Sequence, residues 1–250
     1  MHIIYEDSLM AWQEAWEAIP WPCPKRNLRF IDKETGQIAV GEDLDRISSR
    51  AFRTAWLLEE LNVDYELKFA DRRPDGSVPP ELGIPTSKGK APAIRDGNLV
   101  LGESGAIAEY LIEKYDTAHR LLPTQPEKRA KIRELMWAAE GSLMLHAEAV
   151  FSARLAAPAE VAPELEAKLA KSVQHDLDWL EGHLKETSTR FLAGDHVTVA
   201  DTMMAFSVQD IFANKLAPAG KSWPRINEWL KTVESGDVYQ RAVKRTGHHF

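Results

Sequence analysis

The densest concentration of chemistry-bearing residues is the stretch TSKGKAPAIRDGNLVLGESGAIAEYL, residues 86–111. Pro92 opens a strand, where it has no N–H to give to a ladder, and a cis Ala91–Pro92 bond would leave the Ala91 backbone groups free to pair with a ligand's main chain. Glu103 and Ser104 stand where the next strand meets a helix. Helix-terminal N–H groups, a hydroxyl and a carboxylate converge there, a set that answers both halves of an amino-acid zwitterion. Lys90 adds a point charge for a second carboxylate. Taken singly, Ser104 reads as an N-cap, Glu103 as a solvated acid and Lys90 as a loop cation; their combination in one strand-turn-strand-helix unit favours binding. A separate candidate is Cys23 in WPCPKRNLRF, the only cysteine of the chain and hence a candidate nucleophile.

The elements around these residues follow from their periodicity. Arg50 to Leu61 (RAFRTAWLLEEL) has Leu57, Leu58 and Leu61 on one side and Phe52, Ala55 and Trp56 on another, so the helix is buried on two sides. Tyr65 to Ala70 reads as a strand, and Ala93–Arg95 and Leu99–Leu101 flank a tight turn at Asp96, Gly97 and Asn98. A helix follows from Ser104, with Ile107, Tyr110 and Leu111 on one face. This order implies a small α/β layer structure. Beyond Pro123 and Pro126 the texture becomes helical: Ile132, Leu135, Met136 and Ala139 form one stripe, Leu169, Val173, Leu177, Leu180 and Leu184 a second, and Ile226, Trp229, Leu230 and Val233 a third. Thr198 to Asp201 (TVAD) matches a capping box, and Asp201 is therefore read as structural.

The expected division is an N-terminal extension over residues 1–45, an α/β domain over 46–116, a linker over 117–126 and an all-α domain over 127–250. Within the extension, Leu9, Trp12, Trp16 and Ile19 form an amphipathic stripe, and LRFID-KETG-QIAV reads as a hairpin closed at Gly36. A chain of 250 residues, 44% hydrophobic, can bury real cores. Its net charge of −7, with Lys and Arg spread along the chain, argues against a nucleic-acid partner. No apolar run is long enough to cross a membrane, and one cysteine excludes an internal disulfide and four-cysteine metal sites. A cytoplasmic protein without a metal is expected.

On these residues the chain resembles the cytosolic glutathione transferases. GKAPAI resembles their lysine-bearing cis-proline segment, ESGAIAEYL their Glu-Ser signature for the γ-glutamyl end of glutathione, and SSRAFRTAWLLEEL their first helix. FLAGDHVTVAD resembles the C-domain capping motif and WPRINEWLKTVESGDVYQRAV the closing helices; WAAEGSLM resembles a subgroup found in fungi and bacteria. The resemblance spans about Ile47 to Lys244. It implies a thioredoxin-like N-terminal domain, an all-α C-terminal domain and a homodimer. It further implies glutathione as co-substrate, bound at Lys90, Ala91, Pro92, Glu103 and Ser104, and a small hydrophobic electrophile facing C-domain helices, with Trp137, Glu140 and His146 as candidate wall residues. His146 also reads as a hydrogen-bonded core histidine, and that reading is preferred.

An enzyme of this kind must favour the thiolate of glutathione, since a free thiol with a pKa of about 8.5 is mostly protonated at neutral pH. A hydroxyl at a helix N-terminus does so by hydrogen bonding and through the helix dipole. Ser48 and Ser49, just before RAFRTAW, have that chemistry, and the Ser-Arg pattern of Ser-type members matches Ser49-Arg50. Ser49 is the first choice and Ser48 the second, with Arg50 adding positive charge nearby; either serine also reads as a plain helix cap. Cys23 lies too far upstream of this junction and is followed by a hairpin pattern instead of a buried helix. The segment GEDLDRI, where the resemblance asks for a first strand, is acidic and poorly apolar. Glutathione transfer is the leading expectation; a glutathione-dependent isomerase and a non-catalytic binding module on the same fold are the alternatives.

Overall fold

The computed structural model describes residues 28–37, 49–70 and 91–249. Cys23, Ser48, Lys90 and the stripe from Leu9 to Ile19 lie outside the described residues. Strand β1 (Leu28–Gln37) is followed by α1 (Ala51–Glu60), β2 (Glu66–Ala70), β3 (Ala93–Asp96), β4 (Leu99–Gly102) and α2 (Ser104–Tyr115). The rest is helical: α3 (Pro126–Ala138), a π turn (Ala139–Met144), α4 (Leu145–Ala156), α5 (Ala162–Thr187), α6 (Val199–Ala213), α7 (Pro224–Glu234) and α8 (Asp237–Thr246). This is an α/β layer followed by an all-α bundle, the architecture expected from the sequence.

The sheet runs β2-β1-β3-β4, with β1 antiparallel to β2 and parallel to β3, and β3 and β4 forming the expected hairpin. Gly97 turns that hairpin at φ +59, a region other side chains rarely adopt. Residues 28–37 correct one expectation. They form one strand in the middle of the sheet, with a register irregularity between Asp32 and Gln37, where the pattern reads as a hairpin closed at Gly36. The physical reason is ladder pairing on both sides, which a two-stranded hairpin standing alone does not have.

Helix α1 is the hinge of the packing, with every residue from Ala51 to Leu58 buried. The rings of Phe52 and Trp56 meet Tyr239 of α8 edge-on at 5.2 and 5.1 Å. Glu59, at the far end of α1, accepts from the Tyr65 hydroxyl at 2.7 Å and pairs with Arg245 of α8 at 3.2 Å. The segment between α2 and α3 is equally fixed. Leu121 and Leu122 are buried, and the Asp116 carboxylate accepts from the backbone N–H groups of Arg120, Leu121 and Leu122 at 2.8–3.1 Å. Two residues of the expected linker, Leu121 and Leu122, are therefore part of the core.

At the start of α6 the capping box is present. Asp201 is fully buried and accepts from Thr198 N and Oγ1, Leu192 N and Trp229 Nε1 at 2.8–3.0 Å. The two bonds to Thr198 close the cap, and those to Leu192 and Trp229 join the helix to its neighbours, as the structural reading of this acid requires.

Candidate active site

Two helix N-termini frame the site. The first belongs to α2. In the β3–β4 ladder Ala93 pairs with Gly102, so Pro92 and Glu103 occupy the next rung at the same end of the sheet. The Ala91–Pro92 bond is cis. Glu103 then takes φ 67 and ψ 116, a left-handed backbone that costs a non-glycine residue about 1–3 kcal/mol. That turn lets the chain leave β4 and begin α2 at once, with Ser104 as its first residue and the early N–H groups of the helix facing outward. Gly105 permits a close approach: a Cβ there would lie 2.7 and 2.9 Å from ring carbons of Trp137, whose indole rests on the start of α2 while staying 48% exposed.

The second N-terminus belongs to α1. Ser49 Oγ accepts from Ala51 N at 3.3 Å and the Ser49 carbonyl accepts from Phe52 N at 2.9 Å. A hydroxyl that accepts a backbone N–H keeps its own proton to donate, so capping and anion stabilisation coexist on one oxygen. Arg50 turns toward the all-α domain. Its Nε lies 2.9 and 3.1 Å from the two oxygens of Glu140, and its Nη2 donates to Glu148 at 3.1 Å. The positive charge expected to stand near the reacting sulfur is thus met by two carboxylates.

One turn further along α1, Arg53 links the two N-termini. Its Nη1 donates to Glu140 and lies 3.4 Å from Ser104 Oγ; its Nη2 donates to Ser207 Oγ of α6 at 2.6 Å. Ser207 in turn donates to the Ala139 carbonyl in the π turn at 2.9 Å. The guanidinium carbon lies 5.0 Å from the centre of the Phe206 ring. Burial alone would raise the Glu140 carboxyl, but the fields of Arg53 and Arg50 outweigh it and hold the group below its ordinary value. Burial likewise opposes the charge of Arg50, which Glu140 and Glu148 restore and raise.

The residues predicted from sequence are therefore distributed unevenly. Ser49, Ala91, Pro92, Glu103 and Ser104 fall at the two helix heads and the adjoining end of the sheet. Trp137 covers the start of α2, and Glu140 pairs with Arg50 and Arg53. His146 faces another way, with Nδ1 2.6 Å from Asp176 Oδ2 of α5; it is hydrogen-bonded, with its side chain 37% exposed. Sequence reasoning missed Arg53, Glu148 and Ser207. The signal for Arg53 was available: an arginine inside a helix buried on two sides must have a partner. Among the described residues no group of three or more His, Cys, Asp or Glu could hold a metal ion, and no helix is long and apolar enough to cross a membrane.

Comparison with known proteins adds the family context. Residues 45–113 match the model of the glutathione S-transferase N-terminal domain, and residues 124–237 match that of the C-terminal domain. Glutathione S-transferase 1 of Saccharomyces cerevisiae is 29% identical over 215 residues, covering 79% of this chain and 91% of the relative. Glutathione S-transferase 3 of Schizosaccharomyces pombe is 29% identical over 211 residues, covering 79% and 84%. Among solved structures, a glutathione S-transferase of Actinobacillus pleuropneumoniae superposes with a TM-score of 0.68 at 28% identity, over 80% of this chain and 90% of that one. A delta-class glutathione transferase of Nilaparvata lugens gives 0.66 at 24% identity, over 87% and 94%, a likeness of fold.

Proposed function

Because the chain belongs to the glutathione S-transferase family, we propose that it ionises glutathione at the head of α1 and transfers the sulfur to a small hydrophobic electrophile, working as a homodimer. The γ-glutamyl end lies at the head of α2. Its carboxylate meets the N–H groups of α2 and the Ser104 hydroxyl, and its ammonium meets the Glu103 carboxylate. The cysteinyl backbone pairs with the main chain at Ala91 before Pro92, and Lys90 meets the glycyl carboxylate. The Ser49 hydroxyl donates to the sulfur. The thiolate attacks the electrophilic carbon, forming the C–S bond as the leaving group departs, or as the adjacent π bond takes up the electron pair; the thiol proton goes to solvent.

The observation that carries this reading is the single arginine, Arg53, lying one turn beyond Ser49 on α1 and within 3.4 Å of Ser104 at the head of α2. This supports a reading in which the Ser49 hydroxyl and the head of α2 serve the two ends of one tripeptide. Turnover of a general aromatic electrophile by wild type, Ser48→Ala and Ser49→Ala tests the assignment. Loss in Ser49→Ala alone is expected. Wild-type turnover in both variants excludes the role, and loss confined to Ser48→Ala moves it by one residue. Product analysis checks the reaction class: conjugation consumes glutathione, whereas isomerisation returns it.

A further inference from the structure

Arg53 is the one Lys or Arg that is buried among the described residues, at 1% exposure. A buried cation is costly, and an ion pair of this kind adds little stability that apolar packing could not match. The side chain is also incompletely satisfied. Its Nε is buried without a hydrogen-bond partner, and the Glu140 oxygen that faces it is shared with Arg50. Arg50, Arg53, Glu140 and Glu148 balance in charge, with Asp210 also acting on Arg53 without a direct ion pair, and Glu148 pairs with Arg50 alone. Arg53 therefore keeps part of its field for the other side, where its Nη1 faces Ser104 Oγ at 3.4 Å.

We propose that Arg53 is a positioning residue for the γ-glutamyl carboxylate of glutathione, orienting the Ser104 hydroxyl and supplying the buried positive charge behind it. The inference rests on the glutathione reading above and gives that site a charge partner. A serine oxygen that accepts from a guanidinium turns its own proton away from it, toward the ligand side of the α2 head. The helix supplies only partial charges at that point, and a full cation behind the hydroxyl deepens the field. Ser207 holds the opposite edge of the guanidinium, and its donation to the Ala139 carbonyl anchors that edge in the π turn, a distortion that recurs at functional sites. The grip on glutathione is in this way tied to the all-α domain.

The test compares two ligands by titration calorimetry: glutathione, and its analogue with the γ-glutamyl α-carboxylate converted to the carboxamide. Wild type, Arg53→Lys, Arg53→Met and Ser207→Ala are titrated with each. Arg53→Met is expected to bind glutathione about tenfold to hundredfold more weakly, with a change of less than about threefold for the carboxamide. Arg53→Lys restores part of the difference. In steady-state assays the KM for glutathione rises while kcat at saturation stays within about threefold of wild type. Equal losses for both ligands, or no loss, overturn the proposal. If Arg53→Met does not fold, Ser207→Ala carries the same comparison: a several-fold loss confined to glutathione supports the proposal, and an equal loss or none contradicts it. Wild type that binds neither ligand refutes the glutathione reading itself and the proposal with it, a pattern distinct from equal losses in the variants.

Discussion

Asp201 and Arg53 are both buried, charged and hydrogen-bonded across the molecule, yet their surroundings differ in kind. Asp201 receives four donors, all from its own bundle. Arg53 shares its carboxylate with a second arginine, leaves Nε unmatched and reaches a serine at a helix head. A closed set of contacts holds a fold together, and an open one leaves capacity for a ligand. Burial and charge alone do not separate the two; the count of satisfied atoms does.

The largest effect expected from breaking the comparison is on the closed side. Asp201→Ala strands four donors and should cost about 3–5 kcal/mol, lowering Tm by about 10 °C in a thermal scan, while the folded fraction binds glutathione normally. On the open side, Ser49→Ala should lower kcat by about 100-fold, worth about 3 kcal/mol of transition-state stabilisation, with a loss of stability nearer 1 kcal/mol. Glu140→Gln falls between the classes. It leaves Arg53 without its carboxylate and should cost about 2–3 kcal/mol at neutral pH.

The sign of its pH dependence follows from the depressed Glu140 carboxyl. A carboxyl lowered in the folded state contributes stability above its unfolded value of about 4.3, and that contribution is lost as pH falls through the lower folded value. Wild type should therefore lose stability steeply below about pH 4.3, and Glu140→Gln should flatten that limb in Tm measured against pH. The smallest effect is Gly105→Ala. Alanine gains about 1 kcal/mol of helix propensity but drives a methyl into the Trp137 ring, which can swing outward because it is half-exposed. Stability should stay within about 1 kcal/mol while glutathione affinity falls several-fold, and removing the indole in Gly105→Ala/Trp137→Ala should recover part of it.

What could be read from the sequence was local. The stripes of α5 and α7 lie within single helices, that of α3 runs on only to Ala139 at the start of the π turn, and GKAPAI and ESGAIAEYL carry their neighbours with them. Strand β1 was misread because its partners Phe69 and Ala93 are distant in the chain, while Gly36 nearby suggests a local turn. Trp137, Glu140 and His146 were candidate wall residues, with a packing role preferred for His146; the π turn from Ala139 to Met144 lies between them, and Glu140 meets α1 while His146 meets α5. The pairing of Arg50 with Glu148 was not legible, because Glu148 is 98 residues away and no local pattern announces it.

The central claim is that Ser49 at the head of α1 holds the sulfur of glutathione as a thiolate. Ultraviolet titration of thiolate absorbance in bound glutathione addresses it directly, comparing wild type with Ser49→Ala. The bound thiol in wild type should titrate well below its free value of about 8.5, and in Ser49→Ala it should move back toward that value. The same depressed titration in both proteins would contradict the assignment.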